Sequence, residues 1–589
     1  MLVFKEGFTQ FRDMSAIGTG FGTPNHLIVR IVLNDNTIDY IKIELWTKSC
    51  SKKVRILFWE EFLIKSTARK IVFDGKAFLG SVKAILPHST DLPPSLRLID
   101  PIVGCWLLSP DHPVNTFTGV LGQILPNTGI TSTGHDTAVD IQKEMELLST
   151  MSREMFKKLE ERNLWSLFYQ LEMRILPALV TMERVGVLID TEKLETLGEE
   201  LRLKIEEIQS KAEKEAGKSF NLSSPKQVRE VLYDDLKLDE KSRVSAGKTA
   251  GGAKSTCESV LIKLTQCHPL PSLILQHRQV AKIKTTFVDG ILCHVRGGKV
   301  TTTWDQIAAA TGRVTSVSPN IQAIPKGEID IGEGRVINIR DSFIPPPNCL
   351  FLAADFEQIE FRIFGHLSQE PAIARAIREG GDMFRRLASL WLDKELAEVT
   401  GEDRDKTKRV VYALMYGAGK IRLSEILEIT VPQAGVIINS FYNKFSSLKT
   451  FHQKVIIMAE EKGYLTSLMG RRRYFPHISS SNHKFKAQAQ RQAFNFLIQG
   501  SAADIAKTAL IRAQEGLSVA GVESELVMMI HDEMVWQVRE GIEDTAAGIV
   551  RECLQDCGKV ISADGTRRSL DMKVKISVGH TWGTMVVHT

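Results

Sequence analysis

An apolar stretch near the middle of the chain ends in acidic residues. CLFLAADFEQIEFRIFGHLS (349–368) begins like a buried β-strand, and Asp355 is predicted to be the last residue of that strand. Glu357 and Glu360 follow, where the sequence regains the periodicity of a helix. A carboxylate at a strand end can bind a hard cation. For Asp355 taken alone, however, a solvated Asp that caps the next helix is the favoured interpretation.

A second apolar stretch carries acids at its centre. ELVMMIHDEMVWQV (525–538) has two apolar runs around His531, Asp532 and Glu533, which predicts a β-hairpin whose turn holds the acids. Tight hairpin turns usually contain Asn-Gly or Asp-Gly. Turn geometry alone therefore does not account for these residues, and a structural and a functional interpretation are equally supported.

A third stretch combines cations with aromatic rings. In RDKTKRVVYALMYGAGK (404–420), Arg404, Lys408, Tyr412 and Tyr416 recur every four residues and share one face of a predicted helix. The cations could bind phosphates and a ring could stack on a base. The alternative is an amphipathic helix with a solvated basic face, but the regular spacing favours function.

Together the three stretches meet the requirements of nucleotidyl transfer. Two carboxylates on neighbouring strands can hold two divalent ions about 3.5–4 Å apart. Such ions lower the pKa of an attacking 3′-hydroxyl and share the charge of the transferring phosphoryl group. The basic helix would hold a triphosphate, and its aromatic end would pack against the incoming base.

The remaining sequence must position these stretches. A chain of 589 residues is long enough for three or four compact units. The net charge is only +5, so any phosphate-binding surface must be local. The 8 Cys residues form no metal-binding pattern and indicate a reducing compartment. Neither a signal peptide nor a membrane-spanning stretch is predicted.

The N-terminal and C-terminal parts differ in their patterns. Residues 1–140 contain the β-type runs HLIVRIVL, YIKIELW, VRILFW and KIVFDG, which predict a small α/β domain. Further on, Asp190 is predicted to cap a long charged helix, and Ser224–Pro225 to start another. SAGKTAGGAKST (245–256) contains GKT but lacks the first glycine and the strand of a phosphate-binding loop, so it is predicted to be a flexible loop.

These stretches resemble a known family. LAADFEQIEFR, RDKTKRVVYALMYG and MIHDE resemble motifs A, B and C of the family A DNA polymerases, in the same order and spacing. ATGRVTSVSPNIQAIP, GRRRYFP and RQAFNFLIQGSAADIAK also resemble segments of that family, and the likeness runs from about residue 160 to the end. VVYALMYGAGK and SVGHTWG are most similar to the branch that contains polymerases nu and theta, with nu the nearer.

The resemblance implies a multidomain α/β fold with the right-hand arrangement of palm, fingers and thumb. The thumb would comprise residues 165–295, the palm 296–366 and 486–589, and the fingers 367–485. Residues 1–160 would form a degenerate 3′–5′ exonuclease-like α/β domain.

The resemblance also implies a role for individual residues. The metal ligands would be Asp355, Asp532 and the carbonyl of Phe356, and the catalytic residues would be Asp355, Asp532, Glu533 and Lys408. The nucleotide-binding residues would be Arg404, Lys408, Tyr412, Tyr416, Glu360 and Gln358. The DNA-binding residues would be Arg313, Asn320, Gln322, Arg491, Gln499 and His531. Glu360 and Tyr416 would close the space of a 2′-hydroxyl and thereby select deoxynucleotides.

The implied cofactor is Mg²⁺, as two ions, with Mn²⁺ as a substitute. The implied partners are primer–template DNA and deoxynucleoside triphosphates, without a membrane, for a chain that acts as a monomer. A repair or lesion-bypass role and a nuclear location are expected from the resemblance to the nu and theta branch.

Several features depart from the family pattern. Editing needs a carboxylate cluster, but residues 1–140 have no Asp-x-Glu pair on a strand, and Asp74, Asp100 and Asp140 are isolated and interpreted as structural. Editing activity is therefore not expected. The run Arg471–Arg473 is interpreted as a contact with template phosphates, with a solvated basic turn as the alternative.

Two other classes of protein are weighed against the polymerase. One is a catalytically lapsed polymerase fold that serves as a DNA-binding scaffold, but a lapsed site has little reason to keep Asp355, Asp532, Arg404 and Lys408 together. The other is a single-subunit RNA polymerase, which Glu360 disfavours.

Overall fold

The computed structural model describes residues 2–6, 27–32, 38–43, 52–66, 68–86, 92–93, 96–126, 139–242, 247–249, 251–332, 334–561 and 567–588. These ranges form an N-terminal α/β part, a mainly helical part, and a part built on a five-stranded antiparallel sheet with helices around it. No helix within them is long and apolar enough to cross a membrane.

The N-terminal part contains a five-stranded mixed sheet, so the predicted small α/β unit is present. In sheet order its strands are Ile38–Ile43, Leu27–Val32, Leu2–Glu6, Lys70–Val72 and Leu98–Ile99. The first three are antiparallel and the last two pair in parallel. The helices are Lys52–Trp59, Gly75–Ile85, α1 (Pro101–Leu108), Phe117–Ile124 and Val139–Glu161.

One predicted strand is wrong. VRILFW lies in the helix Lys52–Trp59, which continues as a π-helical stretch over Glu60–Lys65. Trp59 and Leu63 are both 1% exposed and lie four residues apart, which is a helical spacing. A short apolar run does not by itself distinguish a strand from a buried helix.

The isolated acids of this part serve as helix caps. The Asp74 carboxylate accepts a hydrogen bond from the backbone of Ala77 at 3.1 Å. Asp100 accepts from the backbone N–H of Ile102 at 2.9 Å and of Gly75 at 2.7 Å. Burial raises the pKa of Asp100 to about 7. The structural interpretation of Asp74 and Asp100 therefore agrees with their contacts, whereas the side chain of Asp140 lies outside the described part.

The helical part includes the two helices predicted from their caps. α2 (Thr191–Ala216) begins after Asp190, whose carboxylate accepts from the backbone of Lys193 at 3.0 Å. Ser224 caps Pro225–Arg229 in the same way. The other helical segments are Trp165–Leu167, Phe168–Glu172, Met173–Val185, Glu230–Asp235, Leu238–Ser242, Glu258–Leu264, α3 (Leu270–Lys282), Ile283–Asp289 and Gly290–Leu292. The described residues of 247–256 form a loop closed by one bridge between Lys248 and Lys254.

Small β-elements join the helical part to the central sheet. A four-stranded sheet has the order Phe343–Ile344, Val187–Ile189, Lys299–Val300 and Val295–Arg296. Thr303–Asp305 pairs with Thr315–Val317, and Ile329–Asp330 pairs with Val336–Ile337. The second of these hairpins contacts α2 and α3. Arg335 pairs with Glu200 of α2 at 2.5 Å, and Gln276 of α3 donates to the carbonyl of Ile331 at 3.2 Å.

The central sheet consists of β1 (Cys349–Phe356), β2 (Ser524–Ile530), β3 (Glu533–Arg539), β4 (Val574–Gly579) and β5 (Val586–His588). Its order is β2-β3-β1-β4-β5, and every pairing is antiparallel. The predicted strand and hairpin are confirmed with small changes. β1 runs one residue past Asp355, and Glu533 already belongs to β3, so only His531 and Asp532 form the turn.

The part of the chain that carries this sheet also contains nine helices among the described residues. They are α4 (Ile359–Ser368), Pro371–Glu379, α5 (Met383–Leu392), α6 (Gly401–Met415), Lys420–Leu427, Val431–Lys444, Ser446–Lys462, α7 (His483–Val519) and Glu543–Asp556. Two ribbons, Tyr464–Thr466 with Arg472–Tyr474 and Lys559–Ile561 with Arg567–Ser569, complete the fold. A capping box of Thr400 and Asp403 starts α6, and Gly417, with φ +69°, follows its end.

Candidate active site

Three charged side chains form a row across the central sheet. Asp355 on β1 lies directly opposite Glu533 on β3 and Lys575 on β4. Directly opposed residues of antiparallel strands project from the same face of a sheet. Asp532 precedes Glu533 in the adjoining turn. The backbone register therefore brings together acids that are far apart in the sequence.

The carboxylates repel one another. Burial raises the pKa of Asp355 and of Glu533. Burial also raises the pKa of Asp532 to about 6, against the effect of the Arg313 cation and with added repulsion from Glu360 and Asp355. A positive ion between these carboxylates would lower the energy of their charged forms.

The residues present fit a magnesium site that the substrate completes. Across the described residues no group of three or more His, Cys, Asp and Glu side chains is arranged to hold a metal ion. Mg²⁺ is commonly held by one or two protein carboxylates together with substrate phosphates and water. Asp355 and Asp532 supply two carboxylates, and the backbone carbonyl of Phe356, at the end of β1, is a further oxygen donor.

A buried carboxylate links α4 to the end of α6. Glu360 is 9% exposed and lies in the first turn of α4. One of its oxygens accepts a hydrogen bond from the Arg313 guanidinium at 2.5 Å, and the other accepts from the Tyr416 hydroxyl. The two members of the expected sugar gate therefore touch, and Arg313 holds the same carboxylate from the opposite side.

The cation-and-ring face of α6 borders a large cavity. Lys408, Tyr412 and Tyr416 line a space of about 1390 Å³, together with Arg491 of α7. The Tyr412 ring packs against Phe384, with centroids 5.7 Å apart. Lys408 places its ammonium 5.9 Å from the centroid of the Phe384 ring. The shared face predicted from the four-residue spacing is confirmed for these three residues.

Arg404, the fourth member of that series, is engaged elsewhere. Its guanidinium binds Asp382, the N-cap of α5, and its neighbour Asp405, both at 2.7 Å. A triphosphate would have to compete with Asp382 for this cation.

The residues expected to contact DNA divide into two groups. Gln322 donates to the backbone carbonyls of Val314 at 3.0 Å and Met529 at 2.8 Å. Both hydrogens of its amide are thus used within the protein, and the side chain braces 314–316 against β2. The DNA-binding role of Gln322 stays a prediction. Asn320 is exposed, and its carbonyl accepts from Ser316 at 3.1 Å.

The other predicted contacts lie around the acids and the cavity. His531 occupies the β2–β3 turn with φ +58°, and Gln358 caps α4 with φ +56°. Partial burial and the cations of Arg313 and Arg340 lower the pKa of His531. Gln499 is half-buried on α7. The roles assigned to these side chains toward substrate stay predictions.

The Arg471–Arg473 run is not a solvated basic turn, nor does it present three free cations to a template. Arg471 is buried between Asp504 and Glu172. Arg472 lies 4.1 Å from the centroid of the Tyr464 ring, and Arg473 pairs with Asp111 at 2.6 Å. The sequence showed three adjacent cations, but their partners come from distant parts of the chain.

Two residues of the site were missed in the sequence. Lys575 enters through the register of β4, which no local pattern specifies. Asp382 precedes the apolar periodic stretch of α5 and could have been identified as its cap, although not as the partner of Arg404.

The fold and the site together define the class of right-hand polymerase folds: a central antiparallel sheet with paired acids, faced by a helix of cations and rings. The family model for DNA polymerase family A matches residues 191–584. The chain therefore belongs to the family A DNA polymerases, as the sequence motifs predicted.

Individual relatives agree with this family. The chain is 32% identical to the thermostable DNA polymerase I of Thermus filiformis over 76% of this chain and 52% of that protein. It is 30% identical to DNA polymerase theta of Drosophila melanogaster over 94% of this chain and 27% of that protein. It spans about half the length of the curated relatives matched first.

A solved structure extends the similarity to the fold. The POL domain of Pol1 from M. smegmatis, in complex with DNA primer-template and dNTP, superposes with a TM-score of 0.82 at 27% identity. The match covers 96% of this chain and 94% of that one. The predicted polymerase fold class is confirmed.

Proposed function

We propose that this chain is a template-directed DNA polymerase that adds deoxynucleotides to the 3′-hydroxyl of a primer. The observation that carries the proposal is the convergence of Asp355 and Asp532 beside the Arg313–Glu360–Tyr416 contact. The M. smegmatis relative, solved with primer–template and dNTP, supports the same substrates for this chain.

Each part of the site has a proposed task. Asp355, Asp532 and the carbonyl of Phe356 would hold two Mg²⁺ ions, for which Mn²⁺ could substitute. When bound, these ions supply Lewis-acid chemistry that activates a hydroxyl and neutralises phosphoryl charge. Glu533, opposite Asp355 on the neighbouring strand, would support the metal site or the primer end. Lys408 and, after release from Asp382, Arg404 would bind the triphosphate.

The incoming nucleotide would be positioned by the aromatic face. Tyr412 offers a ring to the sugar and base, held by Phe384 behind it. Glu360, fixed at both oxygens, occupies space that a 2′-hydroxyl would need. The preference for deoxynucleotides thus follows from steric exclusion by a carboxylate that cannot easily move aside.

Three finer properties belong to the same proposal. The enzyme lacks proofreading, which the use of Asp74 and Asp100 as helix caps supports. It acts as a monomer in DNA repair or lesion bypass in the nucleus. Similarity to polymerase theta and to the nu and theta motifs supports this role.

Primer extension with dNTPs and Mg²⁺ tests the proposal. Asp355→Ala and Asp532→Ala should each abolish detectable extension while primer–template affinity stays within a few-fold of wild type. Asp234→Ala, at an exposed acid in the helical part, is the control and should extend normally. Extension that survives the double variant would refute the site.

The same assay separates the alternatives. A DNA-binding scaffold would bind primer–template without extension by the wild-type chain. Efficient use of ribonucleotides by wild type would refute the gate assigned to Glu360.

A further inference from the structure

Arg471 is a fully buried cation at the junction of several elements. It is 1% exposed, and it donates to Asp504 through Nε at 2.9 Å and Nη2 at 2.7 Å. Nη2 also binds Glu172, which Lys507 holds at 2.8 Å through its other oxygen. Ser467 accepts from the backbone N–H of Arg471 at 2.9 Å. The guanidinium is therefore held in one place.

This guanidinium lies close against Gly312. A Cβ atom added at Gly312 would stand 2.5 Å from Arg471 Cζ and 2.9 Å from its Nη1. Gly312 has φ +84°, a conformation that side chains disfavour. The Nη1 atom is buried and has no hydrogen-bond partner among the described residues. The guanidinium thus serves as a packing surface for the Gly312 backbone.

The next residue after Gly312 reaches the sugar gate. Arg313 donates to Glu360, and Glu360 accepts from Tyr416 on the other side. Movement of the backbone at Gly312 would displace Arg313 and release one of the two hydrogen bonds that fix Glu360. We infer that Arg471 is a positioning residue for sugar selection, acting on Glu360 through Gly312 and Arg313; this inference rests on the proposed function.

The N-terminal part covers the same network. The Trp106 ring of α1 lies 5.1 Å from the Arg471 guanidinium and 5.5 Å from the Lys507 ammonium. Cation–π contacts of this kind are strongest where water is excluded. Through Trp106, the N-terminal part would contribute to sugar selection. This contribution does not require exonuclease activity.

The test compares kcat/KM for a deoxynucleotide and its ribonucleotide in Arg471→Lys. The Lys ammonium keeps the charge but lacks the planar guanidinium that packs against Gly312. Selectivity for the deoxynucleotide should fall roughly 3- to 10-fold, the effect of loosening one hydrogen bond. The change should appear mainly as a lower KM for the ribonucleotide. Trp106→Leu should lower selectivity in the same direction by a smaller factor.

Arg473→Ala is the matched control, because Arg473 lies two residues from Arg471 and its guanidinium pairs with Asp111 instead of packing against Gly312. Its selectivity should equal that of wild type. Equal losses of kcat/KM for both nucleotides, or unchanged selectivity, in Arg471→Lys would overturn the inference. If Arg471→Lys does not fold, the selectivity of Trp106→Leu is measured in its place. Unchanged selectivity in that variant would overturn the inference.

The measurement separates this inference from the proposed function. Absence of extension by the wild-type chain would refute the polymerase itself. Selectivity is tested only on a wild-type chain that extends primers. Ribonucleotide and deoxynucleotide affinities of the primer–template complex, measured without turnover, should show the same loss of preference.

Discussion

The ion pair between Arg404 and Asp382 would compete with a nucleotide phosphate for the Arg404 cation. Both side chains are about one-third exposed and their charged atoms lie 2.7 Å apart. An exposed pair of this kind contributes about 0.2–1 kcal/mol. On the proposed function, the acid binds Arg404 weakly in the place of the phosphate, and it would orient the cation when no nucleotide is bound.

Asp382→Asn tests this competition. Asn retains the oxygen that caps α5 but loses the charge, so the KM for dNTP should fall about two- to five-fold with kcat little changed. The difference should shrink at high salt, which screens exposed charges. Steady-state kinetics at two salt concentrations measure it.

The control for this variant is Glu379→Gln, which removes the comparable exposed pair with Arg386 at 2.7 Å without touching Arg404. It should leave the KM unchanged. A KM for Asp382→Asn that stays constant would show that Asp382 does not compete with the nucleotide, and a KM that rises would show that it assists nucleotide binding.

At the residue scale, the spacing in the sequence predicted which side chains lie together when they belong to the same helix. The four-residue recurrence of Lys408, Tyr412 and Tyr416 correctly predicted that these side chains share one face, with Tyr416 at the C-cap of α6. It could not show that Arg404 turns toward Asp382, because that contact depends on how α5 packs against α6. The same limit applies to Gln322, whose hydrogen bonds to the backbone carbonyls of Val314 and Met529 no local pattern showed.

Among the elements, α1 depends on an acid whose charge is unfavourable in the fold. Asp100 is buried and its pKa is raised to about 7. A raised pKa means that the folded state binds the proton more tightly than the unfolded chain. Protonation of Asp100 therefore stabilises the fold. This contribution is complete below about pH 4 and is lost as pH rises through about 7.

The stability of Asp100→Asn relative to wild type should therefore increase as pH rises. Between pH 5 and pH 8 the difference in unfolding free energy should shift toward the variant by about 1–3 kcal/mol. Thermal midpoints of both proteins at the two pH values measure it. Asp190→Asn, at the partly exposed cap of α2, is the control and measures the effect of replacing a capping Asp on its own. Equal pH dependence of stability in wild type and Asp100→Asn would contradict the prediction.

Elements with capping signals and sustained periodicity were predictable from sequence. α2 begins where Asp190 predicted it, because a cap and a long apolar stripe act locally. VRILFW failed because its β-type composition was outweighed by the burial of Trp59 and Leu63 at helical spacing. Strand pairing needs partners from elsewhere in the chain, so the row of Glu533, Asp355 and Lys575 followed only from the structure.

At the scale of the whole molecule, one buried group of charges joins parts that are distant in sequence. Burial raises the pKa of Glu172, but the adjacent cations Lys507 and Arg471 outweigh that effect and bring it down to about 2. No pattern around Arg471 in GRRRYFP distinguished it from an exposed basic turn. Its burial depends on acids that the fold brings from two other helical segments.

Glu172→Gln should destabilise the protein strongly. Removal of this charge leaves two buried cations without part of their compensation, which typically costs about 3–5 kcal/mol. The Glu172 charge stabilises the fold above about pH 4.5, and this contribution is lost as pH falls through about 2. The thermal midpoint of the variant at neutral pH, compared with wild type, measures the effect.

Glu515→Gln provides the matched control, because Glu515 pairs with Arg174 at a partly exposed site. It should cost about 1 kcal/mol or less. Similar midpoints for the two variants would mean that the buried network adds no more stability than a surface pair.

The order of strands in the central sheet has a consequence for synthesis of the protein. β1 is made long before its neighbours, since β3 and β4 lie near the C-terminal end of the sequence. While the chain is being translated, the strand that carries Asp355 has both edges unpaired and its apolar side chains uncovered. Asp355 can meet Asp532 and Glu533 only after β3 has left the ribosome, so β1 stays an unpaired apolar strand until then.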